Sequence, residues 1–139
     1  MNKNNQEMIQ EFLKLDWLIQ INILQNFSKK FDYKTLVEFQ RSDNPDVRNL
    51  AKELALKIPA EKVDYETLVE FQKSGDSDIR NLAEELALKI PAEKLDFETL
   101  VEFQKSNNLS IKYLARKLAL KHFPEKTLAY KKFIEKYFE

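Results

Sequence analysis

The chain has 139 residues, 43% hydrophobic and 33% charged, with 23 basic and 23 acidic side chains and so no formal net charge. It contains no cysteine, which excludes a disulfide framework, a thiolate nucleophile and thiolate metal ligands. A single glycine (Gly75) leaves few turn formers and favours helix, and no apolar run approaches the ~18 residues that a membrane span needs.

The opening MNKNNQEM is polar and leads into no apolar stretch with a small-residue cleavage site. The expectation is a cytoplasmic protein. Residues 1–31 read as an N-terminal cap, a degenerate copy of the unit that follows. In that register Leu15, Leu18, Ile19 and Ile23 form its buried stripe, and Trp17, Gln20, Ile21 and Leu24 point outward.

Three near-copies of one 32-residue unit then fill residues 32–63, 64–95 and 96–127. The first two differ at only 8 of 32 positions. So short a unit cannot bury a core alone, so copies are expected to stack. Each reads as two antiparallel helices. Asp32, Asp64 and Asp96 cap the first, a short helix of about 9 to 11 residues by its periodicity. The second begins at Asn44-Pro45-Asp46, Asp76-Ser77-Asp78 and Asn108-Leu109-Ser110. There the leading side chain accepts from free amides, Pro45 suits the first turn, and Asp46 and Asp78 favour the positive end of the helix dipole. Its apolar stripe runs Val47, Leu50, Ala51, Leu54, Ala55, Ile58, then Ile79, Leu82, Ala83, Leu86, Ala87, Ile90, then Ile111, Leu114, Ala115, Leu118, Ala119. Pro59 and Pro91 end the helix. A last helix from Pro124, through Leu128, Phe133, Ile134 and Tyr137, closes the chain, residues 128–139 forming the C-terminal cap. The expected architecture is all-α: one domain over 1–139, a short right-handed α-solenoid of about three helix-pair repeats between helical caps, roughly nine helices in all.

Asp43-Asn44-Pro45-Asp46-Val47-Arg48 and Asp76-Ser77-Asp78-Ile79-Arg80, each followed by a Leu/Ala stripe, resemble the HEAT-repeat signature. The unit is shorter than the roughly 40 residues of longer HEAT repeats, and Ser110 and Lys112 stand in the third copy where Asp and Arg would be. The resemblance implies a ladder of hydrogen bonds and ion pairs among Asp46, Arg48, Asp78 and Arg80, and a concave face lined by the second helices. HEAT-like repeats serve as protein scaffolds, DNA-alkylation-repair glycosylases and phycobilin-lyase-like proteins.

Opposite the buried stripe lie Asn49, Lys52, Glu53 and Leu56, then Asn81, Glu84, Glu85 and Leu88, then Tyr113, Arg116, Lys117 and Leu120, with Trp17 in the cap at the matched place. This set is the candidate surface for a protein or peptide partner. The repeated leucines give either a greasy groove or contacts between stacked helices. The asparagines offer donor and acceptor to an extended peptide, as in armadillo proteins of the importin-α type, or are simply solvated.

Charge is uneven along the chain. Residues 1–58 carry 9 basic and 8 acidic groups, residues 59–104 carry 5 and 12, and residues 105–139 carry 9 and 3. The basic last third, interleaved with Tyr113, Phe123, Tyr130 and Tyr137, makes nucleic acid the alternative partner. Self-association through Trp17, Ile21 and Leu24 is a third reading, weak beside an expected monomer. His122, the only histidine, stands where Ile58 and Ile90 stand in the other copies. No catalytic constellation, metal-ligand cluster or cofactor motif is present, so a non-catalytic protein without metal, cofactor or membrane partner is expected.

Overall fold

A computed structural model describes residues 3–139. Among the described residues there are nine α-helices and no strand, and no helix is long and apolar enough to cross a membrane. The chain forms two compact units, the first running to Ala87 and the second spanning Leu88–Glu139.

The first unit opens with α1 (Lys3–Lys14) and α2 (Trp17–Phe27). Only Leu15 and Asp16 separate them. The Leu15 amide donates to Phe12 O at 3.1 Å, and Asp16 Oδ1 accepts from Leu18 N at 3.1 Å. That break resets the helical phase, so the register expected for the cap is overturned. Leu18 and Ile19, expected inside, are 59% and 50% exposed, while Gln20 and Leu24, expected outside, are buried.

Next come α3 (Tyr33–Glu38), α4 (Pro45–Leu56), α5 (Tyr65–Gln72) and α6 (Ser77–Leu88). In this unit the expected caps form, whereas Asp96, expected to cap the first helix of the third copy, makes no side-chain cap hydrogen bond. Asp32 Oδ1 accepts from Thr35 N (2.8 Å), Asn44 Oδ1 from Asp46 N and Val47 N (2.8 and 3.2 Å), and Asp76 Oδ1 from Asp78 N (2.9 Å). The first helices are shorter than the periodicity implied: α3 tightens into a 3-10 turn at Phe39–Arg41, and α5 stops at Gln72, where Lys73 N turns to the Glu70 carbonyl. At the end of α4, Lys57 N and Ile58 N turn to the carbonyls of Leu54 and Ala55. Pro59 follows without an amide to continue, and a 3-10 turn at Ala60–Lys62 carries the chain onward.

One polar clamp occurs twice. Gln40 Nε2 donates to Arg48 O (2.8 Å) while Arg48 Nη1 donates to Ser42 O (2.8 Å). Gln72 Nε2 donates to Arg80 O (2.9 Å) while Arg80 Nη1 donates to Ser74 O (2.8 Å). Each ties a short first helix, marginal alone, to its second helix. Around the clamps the core includes Phe12 stacked on Phe39 (3.9 Å between centroids), Leu24, Leu36, Val47, Ala51, Leu68, Ile79 and Leu82.

The second unit contains α7 (Phe97–Gln104), α8 (Leu109–His122) and α9 (Pro124–Tyr137). Ile111, Leu114, Ala115, Leu118 and Ala119 of α8 are buried, as is Leu100 of α7. The α9 helix does not close a core as expected: of its apolar stripe Leu128, Phe133 and Tyr137 are exposed and Ile134 is half-buried. Phe133 instead packs on Tyr137 and Phe138, at 4.8 and 5.8 Å between centroids, and Thr127 Oγ1 holds α9 to α8 through Ala119 O (3.0 Å).

Candidate functional site

In the first unit the caps and clamps fix the rotation of α4 and α6, and that rotation decides which residues reach solvent. Asn49 and Glu53 of α4 and Asn81 of α6 are exposed, and Lys52, Leu56, Glu84 and Glu85 are half-buried. Lys52 Nζ lies 3.0 Å from Glu85 Oε1, and Arg48 Nε lies 3.6 Å from Asp78 Oδ2. Both pairs join α4 to α6, so residues 32 or so apart in sequence sit side by side. The Arg48–Asp78 pair is one rung of the anticipated ladder. The residue at the next matched position is Ser110, which has no carboxylate.

Trp17 is not in that row. It is 43% exposed and lines a cavity of ≈ 320 Å³ with Leu13, Leu15 and Gln20 and with the Ser42–Pro45 turn that leads into α4. Of the cap residues read as a self-association patch, Leu24 is buried and Ile21 half-buried, because the phase of α2 begins at Asp16. The apolar side chains at the surface there are Leu15, Trp17, Leu18 and Ile19.

In the second unit Leu88 is half-buried, and its carbonyl accepts a hydrogen bond from Lys121 Nζ. Tyr113 and Leu120 are 50% and 55% exposed, and Arg116 and Lys117 are exposed. The Arg116 guanidinium carbon lies 5.7 Å from the centroid of the Tyr113 ring. Arg116 and Leu120 line a groove of ≈ 450 Å³ with Gln104 and, from α9, Tyr130, Lys131 and Ile134. The leucines thus differ among the copies: Leu56 and Leu88 are half covered and Leu120 is open.

No family model matches this chain. Nor does any curated protein or solved structure. The chemistry is therefore read from the residues themselves. Among the described residues no group of three His, Cys, Asp or Glu side chains could hold a metal ion. His122 Nε2 is buried with no hydrogen-bond partner there. Burial pushes the Tyr65 hydroxyl up to about 12, which keeps it neutral across the physiological range.

One feature of the first unit escaped the sequence reading. Residues 28–62 enclose an open groove of ≈ 860 Å³ running from the 3-10 turn at Ser28–Lys30 across α3 to the end of α4. Its lining includes Lys29, Lys30, Lys34, Lys57 and Lys62. The segment counts that marked residues 105–139 as basic passed over it, because residues 1–58 are nearly neutral as a whole.

Proposed function

We propose that the chain is a non-catalytic protein-interaction module of HEAT-like type, a short right-handed α-solenoid of three repeats. On this reading it holds a segment of a partner protein along the outward faces of its second helices. The observation that carries the proposal is the exposed Asn49 and Asn81 on adjacent helices, opposite a stripe that is buried in α6 and alternately buried (Val47, Ala51, Ala55) and half-buried (Leu50, Leu54, Ile58) in α4, with the Lys52–Glu85 pair holding those helices in register. A row of amides presents donors and acceptors at repeating intervals, the arrangement an extended backbone can use. Repetition of the unit supports the same reading, since stacked repeats create long binding faces.

The test is a pull-down from lysate of the source cells with the intact protein and with Asn49→Arg/Asn81→Arg, both exposed positions where folding should be unaffected. Proteins retained by the native chain should be lost by the variant, in nuclease-treated and untreated halves alike. Identical retention by both would reject the face.

A second reading is favoured by the cationic and aromatic surface of the second unit, where Arg116 lies against exposed Tyr113 and Lys126 lies 5.7 Å from the Phe123 centroid. Such a surface can neutralise phosphates and stack bases. Retention that disappears in the nuclease-treated half would move the function there.

A further inference from the structure

We propose that the lysine-rimmed groove over residues 28–62 is a docking site for an acidic amphipathic peptide segment of a partner protein. The proposal is independent of the α4–α6 face and stands if that face fails.

The floor of the groove is apolar: Tyr33 and Leu36 are buried and Leu54 and Ile58 half-buried. Its rim is cationic. Lys29, Lys30, Lys57 and Lys62 are exposed and Lys34 is half-buried, and among the described residues none of the five enters an ion pair. Asp32 is the one acid in the lining, and its Oδ1 accepts from Thr35 N as the cap of α3. Like charges gathered around a low-dielectric floor repel one another and raise the local potential for an anion.

Comparison of the copies shows that two of the five lysines, Lys29 and Lys34, do not come with the repeat. Three of the lysines recur at every matched position: Lys30, Lys62 and Lys94; Lys57, Lys89 and Lys121; Lys62, Lys94 and Lys126. The aspartate recurs as well, as Asp32, Asp64 and Asp96. Lys29 and Lys34 do not recur, for the later copies have Glu61 and Glu66, then Glu93 and Glu98. The first set therefore holds five lysines and one acid, whereas each later set holds three lysines and three acids. A fold that tolerates glutamate at these places has no structural need for lysine.

Three features select the occupant. The groove is open rather than enclosed and lies near the upper end of the ~300–1,000 Å³ range of small-molecule pockets, which suits a length of chain. Its cations are all lysine, point charges without the fork that grips a phosphate or a base edge, and of its two rings Tyr33 is buried while Phe31 is half-buried and packed on Phe39 at 5.2 Å between centroids, so neither is an open platform for a base. An apolar floor under a cationic rim is complementary to a segment with apolar side chains on one face and carboxylates flanking them.

The probe is a fluorescein-labelled helical peptide of about 14 residues, roughly 20 Å long, with leucine on one face and glutamate on the other. Fluorescence anisotropy with the intact protein should show saturable binding that weakens with salt. Lys29→Glu/Lys34→Glu, which installs the residues of the later copies, should weaken binding about tenfold or more, since two attractions become repulsions. Lys29→Gln/Lys34→Gln should give an intermediate loss and covers the case in which the first variant does not fold. Asn49→Arg/Asn81→Arg should bind the peptide like the native chain. No binding at low salt, equal affinity in the lysine variants, or tighter lysine-dependent binding of single-stranded DNA or phosphatidylserine vesicles would overturn the proposal.

Discussion

Gln20 uses both ends of its amide in a buried position. Its Nε2 donates to Phe12 O at 2.8 Å, and its Oε1 accepts from Ser42 Oγ at 3.0 Å. These bonds tie α2 both to the end of α1 and to the turn before α4, at a residue only 3% exposed. A leucine there would match the amide in volume and add apolar burial, yet it would take away the acceptor of the buried Ser42 O–H, leaving Ser42 only the bond its oxygen accepts from Asn44 N. An unmet buried polar group costs about 1–3 kcal/mol, more than one better-packed side chain returns. Gln20→Leu should therefore lower the urea midpoint, with a stability loss of about 1–3 kcal/mol; an unchanged or raised midpoint would show that the bonds carry no net weight. The same residue explains why the cap was misread. Hydrophobic spacing counted from Leu15 runs across a break that Asp16 creates, and spacing alone has no means to value an amide whose partners lie 8 and 22 residues away.

The second helices of the copies were the most legible elements, because their stripes, caps and terminating prolines agree with one another. In α6 and α8 the residues Ile79, Leu82, Leu86, Ile111, Leu114 and Leu118 are all buried, as their spacing requires. In the last helix periodicity and burial part company. Its periodicity is helical and α9 is a helix, but a stripe says only that a face is apolar, not that a neighbour covers it. No α9 residue is fully buried, and its hold on α8 rests on Thr127, Ile134 and the groove-lining Tyr130. Few buried contacts mean a low free energy of local opening. Hydrogen exchange should show amides of α9 exchanging at least tenfold faster than those of α8, a difference of about 1.4 kcal/mol in opening free energy. Equal protection in the two helices would mean that α9 opens only with the rest of its unit.

Repetition makes the chain its own control, since each copy reports what the others can tolerate. The turn between paired helices is built alike in all three: Ser42 Oγ accepts from Asn44 N, Ser74 Oγ from Asp76 N and Ser106 Oγ from Asn108 N, at 3.3, 3.1 and 3.1 Å. In the first two an arginine six residues after the serine donates to the serine carbonyl, Arg48 to Ser42 O and Arg80 to Ser74 O. The third copy has Lys112 in that place, and among the described residues it makes no such bond. Lysine brings one flexible ammonium where arginine brings a planar fork, so it loses more side-chain freedom for each bond it forms. Lys112 is half-buried beside an intact turn, which leaves the acceptor positioned for the longer side chain. Lys112→Arg should therefore restore the missing bond and stabilise the second unit by about 0.5–1.5 kcal/mol, the net value of one intramolecular hydrogen bond. Protection of the α8 amides against hydrogen exchange should rise by the corresponding factor. Unchanged protection would mean that the third turn, despite its matching serine, differs from the first two at the carbonyl.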